Sequence, residues 1–156
     1  ERVLGVVYNP MLDEMFVAEK GRGAFLNGRR IRVSATADMS RSLLATGFPY
    51  DIRCSTDNNL DLFGAMAVQV QAIRRAGSAA LDLAYVAAGR FDGFWELKLH
   101  PWDTAAGCLL VEEAGGIVTD LQGGFFTLDA PHVLAANDLI HPRLLAALKE
   151  ARGRNG

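Results

Sequence analysis

The chain has 156 residues, 50% of them apolar, and 16 Lys and Arg set against 18 Asp and Glu leave a formal charge of −2. That length supports one domain core, or one core with an incomplete appendage, and is too short for two ordinary domains. No apolar run approaches the roughly 18 residues of a spanning helix, and neither sign of charge is bunched, so the expected partner is a small molecule rather than a membrane or a nucleic acid.

The N-terminus, ERVLGVVYNP, carries neither an initiating Met nor a signal pattern and enters a strand pattern almost at once, so the chain is expected to begin in mid-fold. Residues 1–34 alternate short β-type runs with turn signals: RVLGVVY, EMFVAEKG and GAFLNGRRIRVS, the last with Asn27-Gly28 as a type I′ hairpin signal. Gly21-Arg22-Gly23 reads as a turn or bulge between them. An antiparallel meander of this size has one face to bury and needs further elements against it, which sequence upstream of residue 1 is expected to supply.

After SATADMS the texture changes to alternating strand and helix patterns. SLLATGF predicts a buried strand, and STDNNLDLFGAMAVQVQ a helix opening at Ser55 or Asp57. QAIRRA predicts a short strand, SAALDLAYVAAG a helix between a Ser78 cap and Gly89, and RFDGFWEL another strand. DTAAGCLLVEEAGG predicts a helix that starts at Asp103 and stops at Gly115-Gly116. IVTD and HVLAAN follow as strands, and HPRLLAALKEAR as a terminal helix with Pro142 in its first turn. The larger part is therefore α/β.

Cys54 and Cys108 match no metal or redox spacing and read as buried thiols in a reducing cytoplasm. Phe91, Phe94, Trp95 and Trp102 read as core, and His100, His132 and His141 as structural. Asp51, Asp57, Asp61, Asp82, Asp92, Glu112 and Glu113 read as caps and solvated faces. Asp103 has a bland reading as a helix cap. Trp102 on one side and the small residues Ala105, Ala106 and Gly107 on the other also make it a rigid, aimed carboxylate of the kind a hard cation such as Mg²⁺ takes. Glu96 ends a strand, which is either a solvated edge or the place where α/β proteins hold ligands. Gly77-Ser78-Ala79 opens a helix whose first N–H groups can cap or can hold a hydroxyl or anion.

The run PWDTAAGCLLVEEAGGIVTD, from Pro101 to Asp120, resembles the signature of the inositol monophosphatase family of Mg²⁺-dependent, Li⁺-sensitive phosphatases. The resemblance extends through GSAALDLAYVAAGRFDGFWE and GVVYNP…EMFVAEKGRGAFLNG, nearly the whole chain. It implies an α/β fold in which residues 1–36 are the last strands of a first, antiparallel-sheet domain and 37–156 the second domain. It further implies a Mg²⁺-dependent phosphomonoesterase acting on inositol monophosphate or a related polyol or sugar phosphate, homodimeric when full-length and cytoplasmic. Asp103 corresponds to a metal ligand and catalytic residue, Glu96 to an acid that binds a substrate hydroxyl, Gly77, Ser78 and the Ala79 N–H to a polyol-binding turn, and Arg74 to a basic residue near the site.

Two departures matter. Lys98 stands where the family commonly has glycine, and the upstream Glu and D-P-[IL]-D-G-T motif that hold the family's metals are absent, so the chain alone is expected to be inactive. Same-fold phosphatases for histidinol phosphate, fructose bisphosphate or a phosphoadenosine nucleotide stay open as alternatives. So does a non-catalytic polyol- or protein-binding domain.

Overall fold

The computed structural model describes residues 1–153. Strands β1 (Leu4–Asn9), β2 (Glu14–Glu19), β3 (Gly23–Leu26) and β4 (Arg29–Ile31) pair in sequence order as an antiparallel meander. Alternation along β1 turns Gly5, Val7 and Asn9 inward and leaves Leu4, Val6 and Tyr8 outward. The β3–β4 hairpin turns through Asn27 and Gly28 at φ +48° and +76°, the pair of positive angles a type I′ turn requires.

The second sheet runs in the order β6 (Ala72–Arg74), β5 (Leu43–Thr46), β7 (Gly93–Leu97), β9 (His132–Ala136), β8 (Ile117–Thr119). Strand β5 is parallel to β6 and β7, while β9 is antiparallel to β7 and β8. Its two faces bury separate cores because successive side chains point opposite ways. Ala45, Phe94, Val133 and Ala135 pack with helices α2 (Ala79–Ala87) and α3 (Pro101–Glu113) and with Val7, Phe16, Ala18 and Ala24 of the meander. Leu44, Trp95, Leu134 and Ala136 pack with α1 (Leu60–Ala67) and α4 (His141–Gly153). The result is four layers: meander, α2 and α3, second sheet, α1 and α4.

The small residues of α3 set its closeness to its neighbours. A β-carbon on Gly107 would strike Leu83 of α2, and one on Gly5 would strike the Ala106 carbonyl. Glu113 at the far end of α3 accepts the N–H groups of Gly21 and Gly23 at 2.7 and 2.8 Å, which ties the β2–β3 turn to the helix. No helix among the described residues is long and apolar enough to cross a membrane.

Four expectations are corrected. Helix α1 opens at Leu60, behind Asn59 at φ +72°, and not at Ser55 or Asp57, because residues 51–58 close local turns such as Ser55 N–H to Asp51 C=O. The cap of α3 is His100, and Asp103 stands in the first turn. Trp102 is 77% exposed and stacks on the His100 ring instead of entering the core. Cys54 is exposed, and only Cys108 is buried.

Candidate active site

Three segments converge on a cavity of about 230 Å³: the loop after β5, the start of α2, and the end of β7 with the start of α3. Gly47, Gly77, Ser78, Ala79, Glu96 and Asp103 all line it. Five of the sequence-derived site residues, Gly77, Ser78, Ala79, Glu96 and Asp103, are thus brought together. Arg74 is not among the lining residues; its neighbour Arg75 is.

Asp103 reaches back along the first turn of α3, where its Oδ2 accepts the His100 N–H at 3.0 Å. One oxygen therefore fixes the carboxylate while the residue still faces the cavity. Helix α2 opens at Gly77, φ +95°, and Ser78, whose Oγ accepts the Leu81 N–H at 3.4 Å. The N–H of Ala79, first in the helix, has no intrahelical acceptor, a general property of helix starts.

Glu96 is no solvated edge acid. Burial, reinforced by the charges of Asp82 and Asp103 and opposed by Arg75, pushes its carboxyl up to about 7. Such a group can present either a proton or a lone pair to a substrate hydroxyl near neutral pH. Its position depends on Gly47, where a β-carbon would overlap both carboxylate oxygens. Gly47 is itself fixed by a buried network: Asn59 Nδ2 donates to the Gly47 carbonyl at 2.6 Å and to Thr46 Oγ1 at 2.9 Å, while Trp95 Nε1 donates to Asn59 Oδ1 at 2.7 Å.

Asp82 and Asp92 also depart from the solvated role expected of them, at 1% and 7% exposure. Asp92 accepts from Ser34 Oγ and the Leu43 N–H. Asp82 Oδ1 is buried without a hydrogen-bond partner among the described residues, and burial pushes its carboxyl up to about 7 against the pull of Arg75. A lone acid inside the apolar run AALDLAYVAA was the available signal for Asp82. Gly47, Asn59 and Arg75 carried none strong enough to single them out.

Lys98 sits at φ +57°, a left-handed conformation that strains a residue with a β-carbon by about 1–3 kcal/mol. The loop before Asp103 therefore keeps a glycine-type path with a lysine in it. Its ammonium donates to Asp51 Oδ2 at 2.7 Å and Ser55 Oγ at 2.9 Å.

The donor set bears on a metal ion. Asp103 offers the hard oxygen that Mg²⁺ prefers. Among the described residues, however, no group of three or more His, Cys, Asp or Glu could hold a metal. Asp103 fits as a single ligand, and the described residues do not make a metal site by themselves.

Comparison with known proteins places the sequence and the fold. The model of the inositol monophosphatase family matches residues 1–152. An inositol-1-monophosphatase of Mesorhizobium japonicum is 48% identical over 95% of this chain and 56% of its own length. The Nus factor SuhB of Pseudomonas aeruginosa is 49% identical over 92% of this chain and 54% of its own. The structure of an inositol monophosphatase from Anabaena superposes with a TM-score of 0.93 at 47% identity, covering 95% of this chain and 59% of that one. The chain thus spans a little more than half the length of these relatives, and it belongs to the inositol monophosphatase family.

Proposed function

We propose that the protein to which this chain belongs is a Mg²⁺-dependent phosphomonoesterase acting on inositol monophosphate or a related polyol phosphate, and that this chain supplies the wall that binds the alcohol together with one metal ligand. The observation that supports it most is the convergence of Asp103, Glu96 and the Gly77-Ser78-Ala79 turn on one cavity.

Each residue has a part in this reading. A divalent cation, when bound, supplies charge neutralisation at the phosphate and a more acidic water. Asp103 holds a carboxylate oxygen at the cavity with its orientation locked by the His100 N–H. Glu96, poised near neutrality by burial, exchanges a hydrogen bond with a hydroxyl of the leaving alcohol. The Ala79 N–H orients a second hydroxyl. The division of the chain at residue 36, a homodimeric assembly and a cytoplasmic location belong to the same proposal.

The test is phosphate release from a panel of polyol, sugar and nucleotide monoesters by the protein expressed from the whole reading frame that encodes this chain. Turnover should require Mg²⁺ and favour a polyol ester, and Glu96→Gln should act mainly on KM. Absence of Mg²⁺-dependent release from every ester refutes the proposal.

A second reading, a protein-binding role without catalysis, is favoured by the name Nus factor carried by relatives at 46–49% identity. It predicts that Asp103→Asn leaves function in the cell intact. The phosphatase reading predicts that function is lost.

A further inference from the structure

The 48–55 segment forms the outer lip of the cavity, with Phe48, Pro49 and Tyr50 in its lining. Within itself it is held by short-range backbone bonds, Ile52 N–H to Pro49 C=O and both Cys54 and Ser55 N–H to Asp51 C=O. Phe48 anchors its first residue against Phe63, with ring centroids 5.7 Å apart. Beyond Phe48, the Asn58 amide donates to the Ile52 and Ser55 carbonyls at 3.4 and 2.9 Å, and Lys98, two residues past Glu96 at the end of β7, links the segment to that strand end through Asp51 Oδ2 and Ser55 Oγ. The lysine backbone is itself pinned, its N–H donating to the Pro131 carbonyl.

Stability does not account for this arrangement. The Lys98 and Asp51 side chains keep 31% and 50% exposure, a setting in which an ion pair contributes little. A β-carbon at φ +57° works against the fold. A strained residue that lines a site and whose side chain holds the segment beside it points to a role in that site.

Resting on the phosphomonoesterase reading, we propose that Lys98 is a specificity-determining residue: it straps the 48–55 lip over the cavity and limits the size of the alcohol that the phosphate ester can carry. Lys98 lines the cavity together with Tyr50 and with Glu96, the residue assigned to a substrate hydroxyl, so the strap acts on the leaving group and not on the phosphate. Tyr50, fully exposed, is the part of the lip with room to swing outward once the strap is cut.

The experiment uses the protein from the whole reading frame, as wild type, Lys98→Gly and Asp51→Ala. Lys98→Gly removes the ammonium and relieves the strained backbone, and Asp51→Ala removes its charged acceptor from the other side with the Lys98 backbone untouched. Glycerol 2-phosphate, myo-inositol 1-phosphate and adenosine 2′-monophosphate are compared by calorimetric Kd and by kcat/KM in Mg²⁺. Amide hydrogen exchange is followed over residues 52–55.

Both variants should exchange faster at 52–55 and should shift preference toward the bulky nucleotide relative to glycerol 2-phosphate by about fivefold or more, the discrimination one small steric element gives. The shift should fall in KM and Kd rather than kcat. Size preference within about twofold of wild type in both variants, or unchanged exchange in both, overturns the strap. If the wild type binds these esters but does not turn them over, the phosphatase reading fails while the Kd ratios still decide the strap. Binding of none of them overturns both.

Discussion

Replacing Gly47 by alanine is a perturbation far smaller than the effect it should have. Gly47 lies outside the left-handed region, so alanine meets no backbone strain there. What it meets is the Glu96 carboxylate, whose two oxygens and Cδ all fall inside the space of the new β-carbon. The far end of a Glu side chain can move, so the collision displaces the acid from the cavity rather than unfolding the protein. Displacement also returns a buried carboxyl to water, which favours the fold wherever that carboxyl would ionise. Thermal stability at pH 7.5 should therefore change by less than about 1 kcal/mol, a few degrees in Tm for a domain of this size. Catalysis should lose the hydrogen bond between Glu96 and a substrate hydroxyl, about 1.5–3 kcal/mol for a charged partner, which is roughly 10- to 100-fold in kcat/KM. The assay is phosphate release in Mg²⁺ by wild type, Gly47→Ala, Glu96→Ala and the double variant. If Gly47 acts through Glu96, the double variant should be no worse than Glu96→Ala alone. Wild-type kinetics in Gly47→Ala, or additive losses in the double variant, would refute the reasoning.

Asp82 should give the protein a pH-dependent stability. Its carboxyl stays protonated in the fold up to about 7 but ionises near 3.8 in the unfolded chain, so stability falls as pH rises across that window. Asp82→Asn should flatten the slope and gain about 2–4 kcal/mol on wild type between pH 4 and pH 8, read by urea unfolding in metal-free buffer. An unchanged slope would show that the buried acid is not the cause. Of the two thiols in this chain, Ellman's reagent should reach the exposed Cys54 in the native protein and Cys108 only in denaturant, read by comparison with Cys54→Ser and Cys108→Ser. Cys108 is buried, and that burial pushes its thiol up to about 12. Loss of a fast-reacting thiol in Cys108→Ser would place Cys108 at the surface. Asn59→Leu should be strongly destabilising, by about 2–4 kcal/mol, because it leaves the Trp95 indole N–H, a buried donor, unpaired; chemical denaturation of the variant checks this.

The elements legible in the sequence were those whose signals are local. Asn27-Gly28 dictated its hairpin, Ser78 its cap, and the alternation of β1 its inward face, each from chemistry within a few residues. The cavity residues Glu96, Asp103 and Gly77-Ser78-Ala79 were legible because they stand at element ends and in linked motifs. What was not legible depends on contacts far apart in the chain. Gly47 and Glu96 are brought together only by the parallel pairing of β5 and β7, and Asn59 matters only because that pairing sets Trp95 above it. Trp102 reads as core by composition, yet as the second residue of α3 it faces solvent and stacks on His100. Helix α1 was placed too early because Ser55 and Asp57 are good caps in isolation, whereas Asp51 and Asn58 gather that stretch into turns. Arg74 and Arg75 adjoin at a strand end, and no local pattern says which of the two turns into the cavity.

The central claim is that Asp103 presents a metal-binding carboxylate and does not merely cap its helix. The most direct measurement is a Mg²⁺ titration of phosphate release by the protein from the whole reading frame, as wild type and as Asp103→Asn. Asn keeps an oxygen for the His100 N–H, so the fold and Tm should survive, while the lost charge should raise the Mg²⁺ requirement steeply and reduce turnover by about 100-fold or more. An Asp103→Asn protein that folds and turns over like wild type at the same Mg²⁺ concentration would contradict the account and leave Asp103 as a helix-start residue alone.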